Sequence, residues 1–581
     1  MTHRAAGAAR VEIRRLARTR RPNREDDPVS EHDRPRGTDP RSPGAKEPGG
    51  TGPAVPQPAL YDTTLRDGTQ RRGVNLTVDD KLKVARRMDE LGVHFIEGGW
   101  PGANPKDTEF FRRAADGELV LAQATLAAFG ATRHPRKTVE DDLMLRALLD
   151  ARTPVVCVVG KSWRYHVEGA LDVSRAQNLA MVAETIAFLK SAGRRVFFDA
   201  EHFFDGYASD RAYTREVALA AAEAGADCVV LCDTNGGAMP WAVQPAVADM
   251  LATLPCDVGV HFHDDGGCAV ANSLISVEVG AVHVQGTANG LGERCGNANL
   301  FTVLADLQLK RGLELVPPER LVHMTTVAHA VAELCNQAPP IGQPYVGSGA
   351  FAHKAGLHVS ALAKAADMYQ HVDPSLVGNH QRLVVSELAG RATIALKARA
   401  LGLELDEGTS AHVLDEVKRR EHLGWSYDAA DASFALLLLR LTDRLGEEPF
   451  RLQHFRVTVG GGGAGSNAEA MVAVDIRGER RLGAGEGNGP VDALDHAFRN
   501  ATDGTWPDLD RVHLADYKVR ILEASQGTDA VTRVLVTTTD GKETWDTVGV
   551  HPNIVEASWT ALADAYVWAL VRHSWITGAV G

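Results

Sequence analysis

The chain lacks a basic surplus. Its formal net charge is -13 and no concentrated run of Lys and Arg follows residue 60, which excludes a nucleic-acid partner, because phosphate binding needs a cationic face. It also lacks an uninterrupted apolar run of the length that crosses a bilayer, which argues against a membrane role. Cysteine is scarce and unpatterned: Cys157, Cys228, Cys232, Cys256, Cys268, Cys295 and Cys335 are odd in number and irregularly spaced. That excludes a disulfide framework and suits reduced thiols in a cytoplasm. A Gly-rich dinucleotide loop after the first predicted strand is missing too, which weighs against an open nucleotide-binding sheet.

What is present is long and ordinary in composition. At 581 residues, 44% hydrophobic and 24% charged, the chain is expected to form about two to four folded units. Residues 1–57 are rich in Arg, Pro, Gly and Asp and carry no apolar period, so a disordered tail is expected. Its basic run from Arg10 to Arg21 is broken by Glu12 and leads into no secretory core. From 58 to 338 one phrase recurs: an amphipathic helix, a Gly near its end, then a β-branched strand closing on a polar residue, as in LGVHFIEGG from Leu91 and AGADCVVLCDTNG from Ala224. Gly supplies a left-handed helix cap, and near-continuous apolar strands suit a parallel sheet buried on both faces. Candidate strands end near Asp62, Glu97, Ala124, Val159, Ala200, Cys232, His263 and Thr287. Eight such units, with polar residues at the C-terminal ends of many strands, predict an α/β fold with a (β/α)8 TIM barrel; the alternative is an open doubly wound sheet. Residues 339–445 read as helical linker subdomains. Residues 446–575 read as a C-terminal α+β domain, a duplicated βββα unit whose last helix starts at Asn553 with Glu556 as capping partner.

The strongest local signal is His261-Phe262-His263 at the end of the seventh strand. Residues two apart on a strand share a side, so two imidazoles can face one cation. Asp67 follows strand one in DTTLRDGTQ and Asn297 follows strand eight in GERCGN; a barrel brings these ends together. Two imidazoles, one carboxylate and one amide oxygen make a mixed N/O site for a divalent metal, with Zn, Mn, Co and Mg all open. Cys295 is expected to pack rather than ligate.

DTTLRDG, Glu97, H-x-H-D-D and G-x-G-E-R-x-G-N together resemble the acyl-CoA synthases of the DRE-TIM metallolyase superfamily. FDAEHFFDGY from Phe198, CDTNG from Cys232, FAHKAGLH from Phe351 and the C-terminal domain extend the likeness to the citramalate synthase and 2-isopropylmalate synthase family, over nearly everything after residue 58. Within it, EGGWPGANPKD from Glu97 and GKSW from Gly160 look more like the citramalate branch. Asp264 departs from the family's usual Asn and adds a carboxylate expected to lie beside the metal.

The resemblance implies a metal-dependent condensation of acetyl-CoA with a 2-oxo acid. Pyruvate would give (R)-citramalate for isoleucine biosynthesis, and 2-oxoisovalerate would give 2-isopropylmalate for leucine. Carbon–carbon lyase chemistry on the same constellation is the more distant alternative, since lyase relatives generally lack the GLH segment and the C-terminal duplication. A degenerate binding scaffold is opposed by the joint presence of Arg66, Asp67, His261, His263 and Asn297. In the implied mechanism Arg66 stabilises the developing alkoxide, Glu97 orients Arg66, and Thr234 binds the keto-acid carboxylate or caps its loop. Glu201 and His358, the latter from a neighbouring subunit, are the candidates for removing the acetyl proton, with the choice between them open. A homodimer follows, with a feedback amino acid, isoleucine by expectation, at the C-terminal domain. The glycine runs from Gly460 and Gly483 are expected to be turns rather than phosphate cradles.

Overall fold

In a computed structural model the chain is described over residues 55–576, apart from 354–360, 362–364, 366–367, 384–389, 461–466 and 523–529. Residues 1–54 of the expected tail, His358 and most of the first glycine run lie outside the described residues. Eight parallel strands close in sequence order into a barrel: β1 (Ala59–Asp62), β2 (Phe95–Glu97), β3 (Thr125–Ala131), β4 (Val155–Lys161), β5 (Arg195–Glu201), β6 (Cys228–Asp233), β7 (Asp257–Phe262) and β8 (His283–Gly286). Asp62 pairs with Gly286 where β8 meets β1.

Side-chain parity divides each strand between two cores. Along β6, Cys228, Val230 and Cys232 join Tyr61, Phe95, Phe129, Cys157 and Phe197 inside the barrel. Val229 and Leu231 face the helices instead, in the larger core. The same alternation carries Phe95 to Glu97, Phe197 to Asp199 and Glu201, and His283 to Gln285 on the inward face.

Local chemistry sets the helix ends. Helix Val78–Leu91 opens on a reciprocal capping box between Thr77 and Asp80 and closes on Gly92 at φ 99°, and it buries Leu82, Ala85, Met88 and Leu91. The third strand differs from the expectation, since it begins at Thr125 rather than ending near Ala124. LVLAQAT looks more strand-like than the Ala-rich TLAAFGA, but the Asp89 carboxylate accepts the N–H groups of Ala122, Gln123 and Ala124 at 2.8–2.9 Å and holds them as the approach to the barrel.

After the barrel, β9 (Ala352–His353) and β10 (Arg382–Leu383) form a short parallel ladder, followed by helices Arg391–Ala400, Glu407–His422 and Asp431–Leu441. The last of these packs Phe434, Leu437 and Leu438 with Val548 of the C-terminal domain. Ser433 Oγ and Arg440 Nη1 donate to the buried Asp564 carboxylate at 2.7 and 2.9 Å.

The C-terminal domain repeats one unit. Strands β11 (Arg451–Gly460), β12 (Asn467–Ile476) and β13 (Glu479–Gly487) precede helix Pro490–Thr502, and β14 (His513–Ile521), β15 (Thr532–Thr539) and β16 (Thr544–His551) precede helix Ile554–Ile576. The second glycine run is not a turn. Gly483, Gly485 and Gly487 lie on one face of β13, and a Cβ on each would come within 2.1, 2.4 and 2.5 Å of the backbone of the helix lying across it. Gly549 of β16 does the same for the second helix. Gly483→Val is therefore expected to lower stability by at least about 1–3 kcal/mol, the cost of overpacking, and differential scanning calorimetry should show a depressed C-terminal transition.

The final helix is capped by Asn553, whose Oδ1 accepts from the Val555 N–H at 2.8 Å. Its own N–H goes to His551 Nδ1 at 3.0 Å rather than to Glu556, so the expected reciprocal box is replaced by a contact to the preceding strand. This helix is also the exception to the expected absence of bilayer-length segments, because Ile554–Arg572 is long and apolar enough by length and composition. Its apolar side is taken up by packing, with Ala557, Ala561, Leu562 and Ala565 buried.

Candidate active site

The end of β7 carries His261, and the segments directly after β1, β7 and β8 bring Asp67, His263 and Asn297 beside it at the C-terminal mouth of the barrel, each of the four at most 6% exposed. Asp67 Oδ2 lies 3.3 Å from His261 Nε2 and 3.5 Å from His263 Nε2. These gaps exceed a charged hydrogen bond, yet two ligands each about 2.1 Å from one ion stand roughly 3.0–3.4 Å apart. Asn297 Oδ1 is buried without a hydrogen-bond partner, while its Nδ2 donates to Leu291 O at 3.0 Å, so the orphaned oxygen is the one available to a cation. Burial disfavours a charged Asp67, but Arg66, His261 and His263 outweigh it and hold its pKa well below the usual range. Burial and His261 push His263 down to about 4, which keeps that imidazole neutral.

Arg66 stands beside this cluster. Its Nε donates to Glu97 Oε2 at 2.6 Å and its guanidinium lies over the Phe129 ring at 3.8 Å. Glu97 is fully buried and also accepts from Tyr61 Oη at 2.7 Å and Thr63 Oγ1 at 2.5 Å. Asp199 is buried nearby, its pKa raised to about 6 by desolvation. The carboxylates of Asp67, Glu97 and Asp199 outnumber the one guanidinium of Arg66, an acidic excess, while Lys161 and Glu201 pair with each other. A divalent cation balances that excess, and the donor set therefore fits one.

Arg66, Asp67, Glu201, Thr234, His261 and His263 line one cavity of about 220 Å3, walled by Trp100, Phe129 and Val159. Trp100 is held through the loop after β2: its N–H donates to Asp107 Oδ2 at 2.9 Å, and Asp107 is paired with the buried Lys81. Gly99, at φ 141°, allows this approach, since a Cβ there would meet the Asp107 carboxylate at 2.4 Å. Thr234 Oγ1 accepts the N–H of His202 at 2.9 Å. His202 adopts a left-handed conformation, φ 56°, directly after Glu201.

Two expectations need correction. Asp264 is not part of the cation cluster, because its Oδ1 accepts the Ala269 N–H at 2.9 Å and caps the next helix. Cys295 is exposed rather than packed, and all seven cysteines are free thiols. Sequence reasoning also passed over Lys161, Asp199 and Gln285. Their signal was a polar residue at an inward strand position otherwise filled by Phe, Val or Cys.

Fold and site together define a metal-dependent (β/α)8-barrel enzyme. The HMGL-like family matches residues 57–332, the homocitrate synthase post-HMGL domain-like family 345–423, and the LeuA allosteric (dimerisation) domain 428–570. The (R)-citramalate synthase of Streptomyces coelicolor is 52% identical over 503 residues, covering 86% of this chain and 94% of that protein. That of Synechocystis sp. is 47% identical, covering 86% and 93%, whereas a probable 2-isopropylmalate synthase of Methanopyrus kandleri is 35% identical, covering 84% and 93%. The chain belongs to the (R)-citramalate synthase family. Among solved structures, hydroxymethylglutaryl-CoA lyase from Pseudomonas aeruginosa matches with 21% identity and a TM-score of 0.42, over 54% of this chain and 99% of that one.

Proposed function

We propose that this chain joins acetyl-CoA to pyruvate and hydrolyses the resulting thioester, releasing (R)-citramalate and CoA as an acyltransferase of isoleucine biosynthesis. The observation that carries the chemistry is the buried Asp67, His261 and His263 cluster beside a guanidinium locked on Glu97. Asp67, His261, His263 and Asn297 would hold a divalent cation, which when bound would supply Lewis acidity to the keto oxygen of the 2-oxo acid. Arg66 commits its Nε to Glu97, sets Nη1 3.6 Å from Asp67, and turns its other terminal N–H groups to the oxygen that gains charge as the new carbon–carbon bond forms. Thr234 accepts from His202 and retains its own proton, which it donates to the keto-acid carboxylate. Glu201, ion-paired with Lys161, and His358 form the pair through which the acetyl methyl proton leaves. The small cavity walled by Trp100, Phe129 and Val159 supports a methyl-bearing acceptor over a branched one. The test is product analysis: acetyl-CoA, pyruvate and a divalent metal should yield free CoA and 2-methylmalate of R configuration by chiral chromatography, and absence of that acid would sink the assignment.

We further infer a cytoplasmic homodimer regulated at its C-terminal domain. Val459, Leu482, Val519 and Ile521 are exposed on its strands, surface that suits a second copy. A pocket of about 400 Å3 between the two repeats has apolar walls at Val491, Val512, Leu514 and Leu562, with Asp492 and Asp495 at its edge. Branched apolar walls suit the side chain of isoleucine, and Asp492 suits its ammonium group, since Asp495 is already taken by Arg499 Nε at 2.8 Å and by Tyr566 Oη. Leu514→Trp, which fills the pocket from a half-exposed position, is expected to raise the isoleucine inhibition constant at least about tenfold with basal turnover unchanged, a loss of at least ~1.4 kcal/mol. Unchanged inhibition would place the effector elsewhere. This variant is cleaner than removing residues 446–581, which would strip the partners of helix Asp431–Leu441.

A further inference from the structure

Behind His261 the barrel interior holds two hydrogen-bonded side chains, Gln285 and Asp199, that the proposed chemistry does not use. Asp199 on β5, Gln285 on β8 and His261 on β7 all face inward and are at most 5% exposed. Gln285 Nε2 donates to Asp199 Oδ1 at 2.9 Å, and Gln285 Oε1 lies 2.9 Å from His261 Nδ1. The three groups have a direction built into them. A carboxylate accepts only, so the amide must turn its NH2 toward Asp199 and its carbonyl toward the imidazole. A carbonyl also accepts only, so the ring proton sits on Nδ1. In the neutral ring, the form that ligates a cation, the one proton is then held on Nδ1 and the bare Nε2 is presented toward Asp67.

We propose that Gln285 and Asp199 are positioning residues that fix the His261 tautomer and ring orientation for cation binding, with Asp199 setting the amide and the amide setting the imidazole. The inference rests on reading Asp67, His261, His263 and Asn297 as the cation site. Without the relay, His261 exchanges between two tautomers, one of which places a hydrogen where the ion belongs. Asp199 also lines the substrate cavity, so a change at this wall acts on the cation as well as on the substrate.

The experiment uses the full-length protein, stripped with a chelator and titrated with Co(II) in competition with a chromophoric chelator. The wild type is expected to bind one Co(II) per chain. Gln285→Leu and Asp199→Ala should weaken that binding about 10- to 100-fold, as losses behind a metal ligand do. Asp199→Asn, whose carbonyl can accept from the same amide, should restore affinity to within about threefold of wild type, whereas Asp199→Leu, which keeps the bulk without an acceptor, should stay as weak as Asp199→Ala, a split that a packing role would not give. Gln285→Leu binding as tightly as wild type overturns the relay. If that variant does not fold, equal affinities for Asp199→Ala and Asp199→Asn overturn it instead. A wild type that takes up no Co(II) overturns the cation site itself, and the relay with it.

Discussion

Arg66→Ala is expected to lower turnover by about 100- to 1,000-fold, the usual cost of removing a preorganised donor from a developing oxyanion, while bound metal stays near the wild-type amount. The size of the effect follows from how the guanidinium is held. Glu97 Oε2 takes its Nε at 2.6 Å, Phe129 supports its face at 3.8 Å, and Tyr61 and Thr63 hold Glu97 in turn. Little reorganisation is left for the moment of reaction. The same burial means that Arg66→Ala strands the Glu97 carboxylate with hydroxyl partners alone, at a stability cost of about 3–5 kcal/mol, so the assay belongs well below the variant's melting temperature. Arg66→Lys should not rescue, because an ammonium cannot fill the Glu97 contact and the cavity at once. Turnover within a few-fold of wild type would remove Arg66 from the chemistry.

Asp67→Asn is expected to cut divalent-metal affinity by at least about 100-fold, the upper end of what the loss of a supporting group costs, and to take CoA release below detection. Asp67 is the carboxylate facing both imidazoles, and Asn keeps its shape while removing its charge. The distinction from Arg66 is measurable. Metal analysis should show a depleted protein for Asp67→Asn and a loaded one for Arg66→Ala, both inactive. Normal metal content in Asp67→Asn would place the ion elsewhere.

How much of this was legible in the sequence depended on the range of the interaction. His261 and His263 could be paired because strand parity is local, and Asp67 and Asn297 followed once eight βα units implied a closed barrel. Contacts made across the barrel left no such trace. Gln285 and Asp199 are 86 residues apart and meet only because β5 and β8 face one interior. Lys161 is visible as a polar strand end, but its pairing with Glu201 needs the register of β4 against β5, where the two are neighbours. The misplaced third strand has a comparable cause. Asp89, far back on a helix, accepts the N–H groups that a strand at Ala122–Ala124 would have used in a ladder. Glycines misled in the other direction. In β13 they mark helix approach rather than a turn, which becomes clear only when their period of two is read against a following amphipathic helix. The capping role of Asn553 was readable from composition, but its His551 contact was not, because it depends on where the preceding strand ends.

The central claim is tested most directly by CoA release from acetyl-CoA and a divalent metal, followed with a thiol reagent and run in parallel with pyruvate and with 2-oxoisovalerate. The account predicts release with pyruvate at a kcat/KM at least about tenfold above that for the branched acid, which is two carbons larger, where a single methylene is already worth about 10- to 200-fold (about 1–3 kcal/mol). Equal or greater efficiency with 2-oxoisovalerate would contradict it.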